Sequence, residues 1–289
     1  MFRWMCLFCI PLLLISPLAS AQSSLAPAAN HAADGRTLIW SDEFNGLNGS
    51  PPDPKKWVVV SNDSGYGNNE LEYYTNRPAN VVQQDGSLTI TARRERYVGK
   101  DGKVRLYTSG RIESHGRFAF KYGRAEARIQ IPAGQGIWPA FWMLGNNYTR
   151  VGWPKCGEID IMENVGYEPS KVHGSLHGPG YSGSHPLTGV YTLPGGERFS
   201  AGYHIFAVEW APRSIRFYVD GSLYETQTPK DLPPGKHWVF NHPFFLILNL
   251  AVGGNWPGNP DATTKFPQSM KVDYVRVYRL KRHPKGQIE

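Results

Sequence analysis

The chain has 289 residues, enough for one large domain or two small ones. Its 31 Gly and 23 Pro nearly match the 31 Lys/Arg and 24 Asp/Glu in number, and 13% of residues are aromatic. Such a turn-rich, ring-rich chain is neither a disordered segment nor a coiled coil. The net charge of +7 comes from scattered residues rather than a stripe, so it gives no sign of a nucleic-acid partner.

Residues 1–21 read as a secretory signal. Arg3 supplies the positive charge, Trp4 to Ile15 are apolar, and Ala19-Ser20-Ala21 is a small-x-small cleavage site. The apolar run is too short to span a bilayer, and Pro11 and Pro17 interrupt it. The expectation is a secreted protein, periplasmic if the host is bacterial, with no membrane contact after cleavage. Cys6 and Cys9 would leave with the signal, so Cys156 alone remains and no internal disulfide can form. Residues 22–36 read as a flexible leader, 37–280 as one catalytic domain, and 281–289 as a basic tail.

Within that domain the pattern is period 2. Leu88 to Ala92, Ile205 to Trp210 and Val272 to Tyr278 alternate apolar and polar residues, as half-buried strands do. Phe244 to Leu250 (FFLILNL) is almost wholly apolar, as in a strand buried on both faces. Asp85-Gly86, Asp101-Gly102 and Asp220-Gly221 sit between such runs and suit tight hairpins, whose central residues need positive φ. No dozen-residue segment carries a helical stripe. The fold expected is all-β, a sandwich of two antiparallel sheets with one face open as a substrate groove. The segment from Gly178 to Gly202 reads as a long loop bordering that groove.

The most informative segment is GEIDIMENVG at 157–166. Period 2 puts Glu158 and Asp160 on one face, with Ile159 and Ile161 packed beneath. Glu163 is an odd number of residues from Glu158, so a regular strand would turn it away. A β-bulge near Met162 restores it. With the bulge the two Glu Cα atoms are roughly 13 Å apart and their carboxyl groups about 5–6 Å, the spacing of a retaining glycosidase. Crowded like charges raise carboxyl pKa values, so the three acids should hold a proton near neutral pH. A solvated acidic face and a hard-cation site are the competing readings. The first suits two acids better than three, and no further ligand lies nearby in sequence for the second.

At this motif the chain resembles glycoside hydrolase family 16, in its laminarinase-like branch of endo-β-1,3-glucanases. The resemblance covers almost all of residues 38–279: WSDEFNG (40–46), YGNNELEYYT (66–75), WPAFWMLG (138–145), GEIDIMENVG, VHGSLHGPG (172–180), FAVEWAP (206–212), NLAVGGNWPG (249–258) and VDYVRVY (272–278). It implies a β-jelly roll, with Glu158 as nucleophile, Glu163 as general acid/base and Asp160 as the acid assisting the nucleophile. Catalysis would need no cofactor.

The resemblance also implies Asn69, Tyr73 and Arg111 as hydrogen-bonding groups for sugar hydroxyls, and Trp138, Trp142 and Trp256 as sugar platforms. Trp138 and Trp142, four apart on a strand, share a face, and flat indoles suit sugar rings. Trp40, Trp57 and Trp210 read as core. His177 reads as a hydrogen-bonding neighbour of the acids, and Cys156 as a passive thiol. Glu43, Gly86 and Asp273 match the ligands of a structural calcium. The partner is a β-glucan polysaccharide, and the protein a monomer. Mixed-linkage glucanase, galactan hydrolase and non-catalytic glucan-binding protein are the alternatives.

Overall fold

The computed structural model describes Met1 and residues 35–280. The predicted signal segment beyond Met1, the leader up to residue 34 and the tail 281–289 lie outside the described residues, together with Cys6 and Cys9.

In chain order the strands are β1 (Thr37–Asp42), β2 (Val58–Val59), β3 (Glu72–Tyr74), β4 (Val81–Gln84), β5 (Ser87–Val98), β6 (Val104–Ser109), β7 (Arg111–Glu113), β8 (Gly123–Gln130) and β9 (Ile137–Gly145). A four-residue helix, α1 (Tyr148–Val151), precedes β10 (Glu158–Glu163). Then follow β11 (Lys171–His177), β12 (Leu187–Thr192), β13 (His204–Ala211), β14 (Ser214–Val219), β15 (Ser222–Gln227), β16 (Phe244–Val252) and β17 (Gln268–Arg279). They form two sheets. A ten-stranded sheet runs β15-β14-β13-β8-β17-β5-β6-β3, with β1 on β17 and β4 on β5. A seven-stranded sheet runs β12-β11-β10-β9-β16-β7-β2. Pairing is antiparallel except between β3 and β6.

The turn chemistry explains two hairpins. Asp85-Gly86 joins β4 to β5 and Asp220-Gly221 joins β14 to β15; all four residues have positive φ, from 49° to 82°. This is the type I′ geometry that follows the strand twist. Asp101-Gly102 differs from expectation: it lies in a five-residue connection, and only Gly102 has positive φ.

The Gly178–Gly202 segment is a correction. Leu187–Thr192 is not loop but β12, the edge strand of the seven-stranded sheet, paired from Lys171↔Thr192 to Leu176↔Leu187. Gly189 hides it in the sequence, because glycine weakens a strand pattern. Here it is needed, since the Glu225 side chain occupies the space a Cβ would take.

Core packing follows the pleat. On β16, Phe244, Leu246, Leu248, Leu250 and Val252 enter the main core between the sheets. Phe245 and Ile247 point the other way into a second cluster with Leu144 and Cys156, against which Tyr148 and Val151 of α1 pack. That covering accounts for a strand buried on both faces. The one polar residue on the second face is Asn249, beside the site. β9 divides similarly: Ile137, Phe141 and Met143 are core, while Trp138 and Trp142 are half-buried on the face turned away from it. Trp57 and Trp210 are fully buried, and Trp40 packs against the core from its edge.

Candidate active site

On β10, Ile159, Ile161 and Met162 belong to the main core. Glu158, Asp160 and Glu163 lie on the opposite face. The bulge is where the acid spacing places it: β10 runs in register with β9 from Glu158↔Leu144 to Asp160↔Trp142, then shifts before Met162↔Phe141 and Glu163↔Ala140. Six residues of β10 thus span five of β9, which returns Glu163 to the face of the other two acids.

Neighbouring strands supply the groups around them. His177 on β11 stands opposite Glu158. Its Nε2 is 3.0 Å from Asp160 Oδ2 and 3.7 Å from Glu158 Oε1. The backbone N–H of Gly183 donates to His177 Nδ1 at 3.2 Å. That bond leaves the imidazole proton on Nε2, the ring nitrogen nearer the carboxylates. Trp138 Nε1 donates to Glu163 Oε1 at 3.0 Å, and Trp142 Nε1 to Asn249 Oδ1 at 2.7 Å. Arg111 on β7 is held by Glu113 at 2.7 Å and lies between two rings, 4.4 Å from the centre of Tyr66 and 5.0 Å from that of Trp142.

Burial dominates the electrostatics. The carboxyls of Glu158 and Glu163 are each pushed up to about 8, first by desolvation and then by the charge of Asp160; His177 opposes the rise in both. Desolvation drives Asp160, 3% exposed, well above the usual carboxylate range. Groups this close titrate as a unit. Near neutral pH such a cluster can present one ionised and one protonated carboxyl across a bond placed between them. The ionised one belongs beside the cationic neighbour: Arg111 lowers Glu158, whereas the charge of Glu70 raises Glu163, against the Trp138 N–H that lowers it.

Glu158, Asp160 and His177 are also the one group of potential metal ligands that draws together among the described residues. The Gly183 bond argues against that use, because it keeps a proton on the nitrogen that would have to ligate. The expected calcium ligands do not fit a cation as they stand. Glu43 is held bidentately by Arg276 at 2.7 and 3.0 Å, and Asp273 by Arg128 at 2.7 Å. Gly86 is the second residue of the β4–β5 turn. The acidic oxygens are already matched by guanidinium groups, so no role is derived for calcium.

Of the other predicted residues, Asn69 lies at the site's edge, its Nδ2 donating to Asn255 Oδ1 at 2.8 Å. Trp256 meets Trp138 edge-on at 5.6 Å and His173 at 4.9 Å. Tyr73 is a correction. It is 3% exposed, meets Tyr97 at a tilt with ring centres 5.0 Å apart, and covers Gly99 so closely that a Cβ there would collide with its ring. Strand parity explains the miss: Glu72 and Tyr74 reach toward the site, and Tyr73 between them faces the other way. Cys156 is a buried thiol, pushed up to about 11 by burial, and so inert at neutral pH. Sequence reasoning missed Tyr66, Glu70, Glu72, Tyr74 and Asn249, although the same parity would have linked Glu72 with Tyr74. It also missed Trp153, which is 49% exposed with its ring 6.2 Å from His177.

Residues 68–276 match the family described as glycosyl hydrolases family 16. The chain belongs to that family. It is 43% identical over 259 residues to the beta-glucanase of Rhodothermus marinus, covering 84% of this chain and 85% of that one. The structure of an endo-beta-1,3-glucanase from Pyrococcus furiosus is similar, with a TM-score of 0.80 and 49% identity over 84% of this chain and 94% of that one. So is the laminarinase catalytic domain of Thermotoga maritima, with a TM-score of 0.80 and 48% identity over 84% of this chain and 98% of that one. This chain is a glycoside hydrolase with the two-sheet, antiparallel-rich β fold of that family.

Proposed function

We propose that this glycoside hydrolase is a secreted, retaining endo-β-1,3-glucanase acting on laminarin-type glucans. The observation that carries this reading is the bulged β10, which puts three desolvated acids on one face beside two indoles that can bear sugar rings. The names of the related glucanases and laminarinases support the substrate class.

Glu158, ionised beside His177, attacks the anomeric carbon from one face of the sugar. Glu163, protonated and steered by Trp138, gives its proton to the departing oxygen. The glycosyl–Glu158 ester then reacts with water, from which Glu163 takes a proton, so the anomeric configuration is retained. Asp160 exchanges protons with the nucleophile, and His177 Nε2–H stabilises the charge that collects on the two carboxylates. Arg111, Asn69, Trp138, Trp142 and Trp256 hold the glucan by hydroxyl contacts and ring stacking. No helix of the described residues is long and apolar enough to cross a membrane. Export rests on the signal-like N-terminal sequence.

Parallel digestion of laminarin, lichenan and agarose tests the substrate. The expected outcome is internal cleavage of laminarin with early products of mixed length. We expect Glu158→Gln to lower kcat on laminarin by at least about 10³-fold. A variant hydrolysing laminarin at the wild-type rate would overturn the assignment. Preferred cleavage of lichenan or agarose would move the substrate while leaving the acids in their roles.

A further inference from the structure

Two buried acids next to the site take no part in the chemistry above. Glu70 is 6% exposed and Glu72 2%. They belong to a run of hydrogen bonds that starts at a sugar platform. Trp142 Nε1 donates to Asn249 Oδ1 at 2.7 Å, and Asn249 Nδ2 donates to the Tyr74 hydroxyl oxygen at 3.1 Å. The Tyr74 hydroxyl donates to Glu70 Oε2 at 3.3 Å. Glu70 and Glu72 hydrogen-bond to each other. The backbone N–H of Val252 donates to Glu72 Oε2 at 2.7 Å.

Two carboxyl groups can bond to each other only by sharing a proton. Burial lifts both, and the charge of Glu70 lifts Glu72 further, whereas Arg111 favours the ionised form of Glu70. The proton therefore rests on Glu72. Every link then has a matched donor and acceptor: Glu70 accepts from Tyr74 and from Glu72, and Glu72 accepts from Val252.

The far end of this run is the root of a second platform. Leu71 N–H donates to the Val252 carbonyl at 2.8 Å, Asn255 N–H to the Asn68 carbonyl at 2.8 Å, and Asn69 Nδ2 to Asn255 Oδ1 at 2.8 Å. Residues 68–72 thus clip the loop after β16 along its length. That loop carries Trp256, which meets Trp138, whose Nε1 in turn holds Glu163. A buried acid pair is a costly way to fill space. A carboxylic acid can, however, donate at one end and accept at the other, and so tie a side-chain relay to a backbone loop.

We propose that Glu70 and Glu72 are positioning residues whose hydrogen-bonded pair ties Trp142 to the Trp256 loop and so sets the spacing of the two sugar platforms. The proposal deepens the glucanase reading and rests on it.

The test compares Glu72→Ala, Glu72→Gln and Tyr74→Phe with wild type, using whichever of laminarin, lichenan and agarose the wild type cleaves. Glutamine keeps a donor toward Glu70 and an acceptor for Val252 N–H; Tyr74→Phe removes one hydroxyl without changing ring size. We expect Glu72→Ala and Tyr74→Phe to raise KM by about 5- to 10-fold with kcat within about 3-fold, and Glu72→Gln to return KM to within about 2-fold of wild type. A wild-type KM in Tyr74→Phe overturns the proposal, and so does a Glu72→Gln impaired as badly as Glu72→Ala. If Glu72→Ala does not fold, the other two variants make the same decision. Failure of the glucanase reading shows separately, as a wild type that cleaves a substrate other than laminarin.

Discussion

The carboxyls of Glu158 and Glu163 are pushed up to about 8, against an ordinary value near 4.5, and with Asp160 they shed their protons as one coupled cluster. The folded protein therefore binds more protons than the unfolded chain between those limits. Stability contributed by the protonated forms is complete below about pH 4.5 and is lost as pH rises through about 8. What makes these acids useful for proton transfer thus works against the fold in alkaline solution. Glu158→Gln removes one of these charges while keeping the shape. Calorimetry should find it melting about 2–4 °C above wild type at pH 8.5, corresponding to about 1 kcal/mol, and close to wild type at pH 4. Equal melting temperatures at both pH values would show that burial does not penalise the charge. Tyr73 gives the opposite lesson at this scale. Its motif matched, but an odd position on a three-residue strand turned its ring away from the site.

At the scale of elements, β10 decides the chemistry. Its bulge is an extra residue whose work is to aim Glu163. Deleting Met162 removes the extra residue and restores the regular pleat, which leaves the glutamate four steps from Glu158 and on the face of the other two acids; inserting an alanine after Met162 instead turns it toward the buried cluster formed by Ile161, Phe141 and their neighbours. We expect the insertion to lower activity by on the order of 10³-fold or more, together with the melting temperature, because an unpaired carboxyl is then buried, and the deletion to keep activity within about 100-fold of wild type. An insertion variant that keeps both its activity and its melting point would show that strand parity does not aim this glutamate. Edge strand β12 shows the reverse problem of legibility: Gly189 weakens its pattern, and only the Glu225 side chain from β15 explains why a glycine stands there.

At the scale of the molecule, the main core joins the two sheets, and Trp210 is one of its largest pieces. Its ring lies 4.8 Å from Tyr122, 5.2 Å from Phe244 and 5.7 Å from Phe120, and its Nε1 donates to the Phe240 carbonyl at 3.1 Å. Trp210→Ala should cost about 3–5 kcal/mol and lower the melting temperature by on the order of 10 °C. KM below the melting transition should stay near the wild-type value, since the ring does not touch the site. Urea unfolding and kinetics at 20 °C check the two parts, and a changed KM would mean that core packing sets the platform geometry.

The sequence alone determined the all-β class, the two type I′ hairpins, the bulged strand and its three acids, because these depend on local rules: period-2 burial, positive φ at Asp-Gly, and the parity of charged positions. The matching motifs carried the family. Tertiary structure decided what local rules do not reach. Arg276 and Arg128 took up Glu43 and Asp273, a pairing made across strands distant in sequence. Gly183 fixed the imidazole of His177 from a neighbouring loop, and so fixed which way its proton points. Glu70 and Glu72, which carry no signal of their own within the 66–75 motif, became a proton-sharing pair only because β16 and its loop close over them and bury them. Burial and long-range partners set the protonation of an acid, and neither is written in its immediate neighbours.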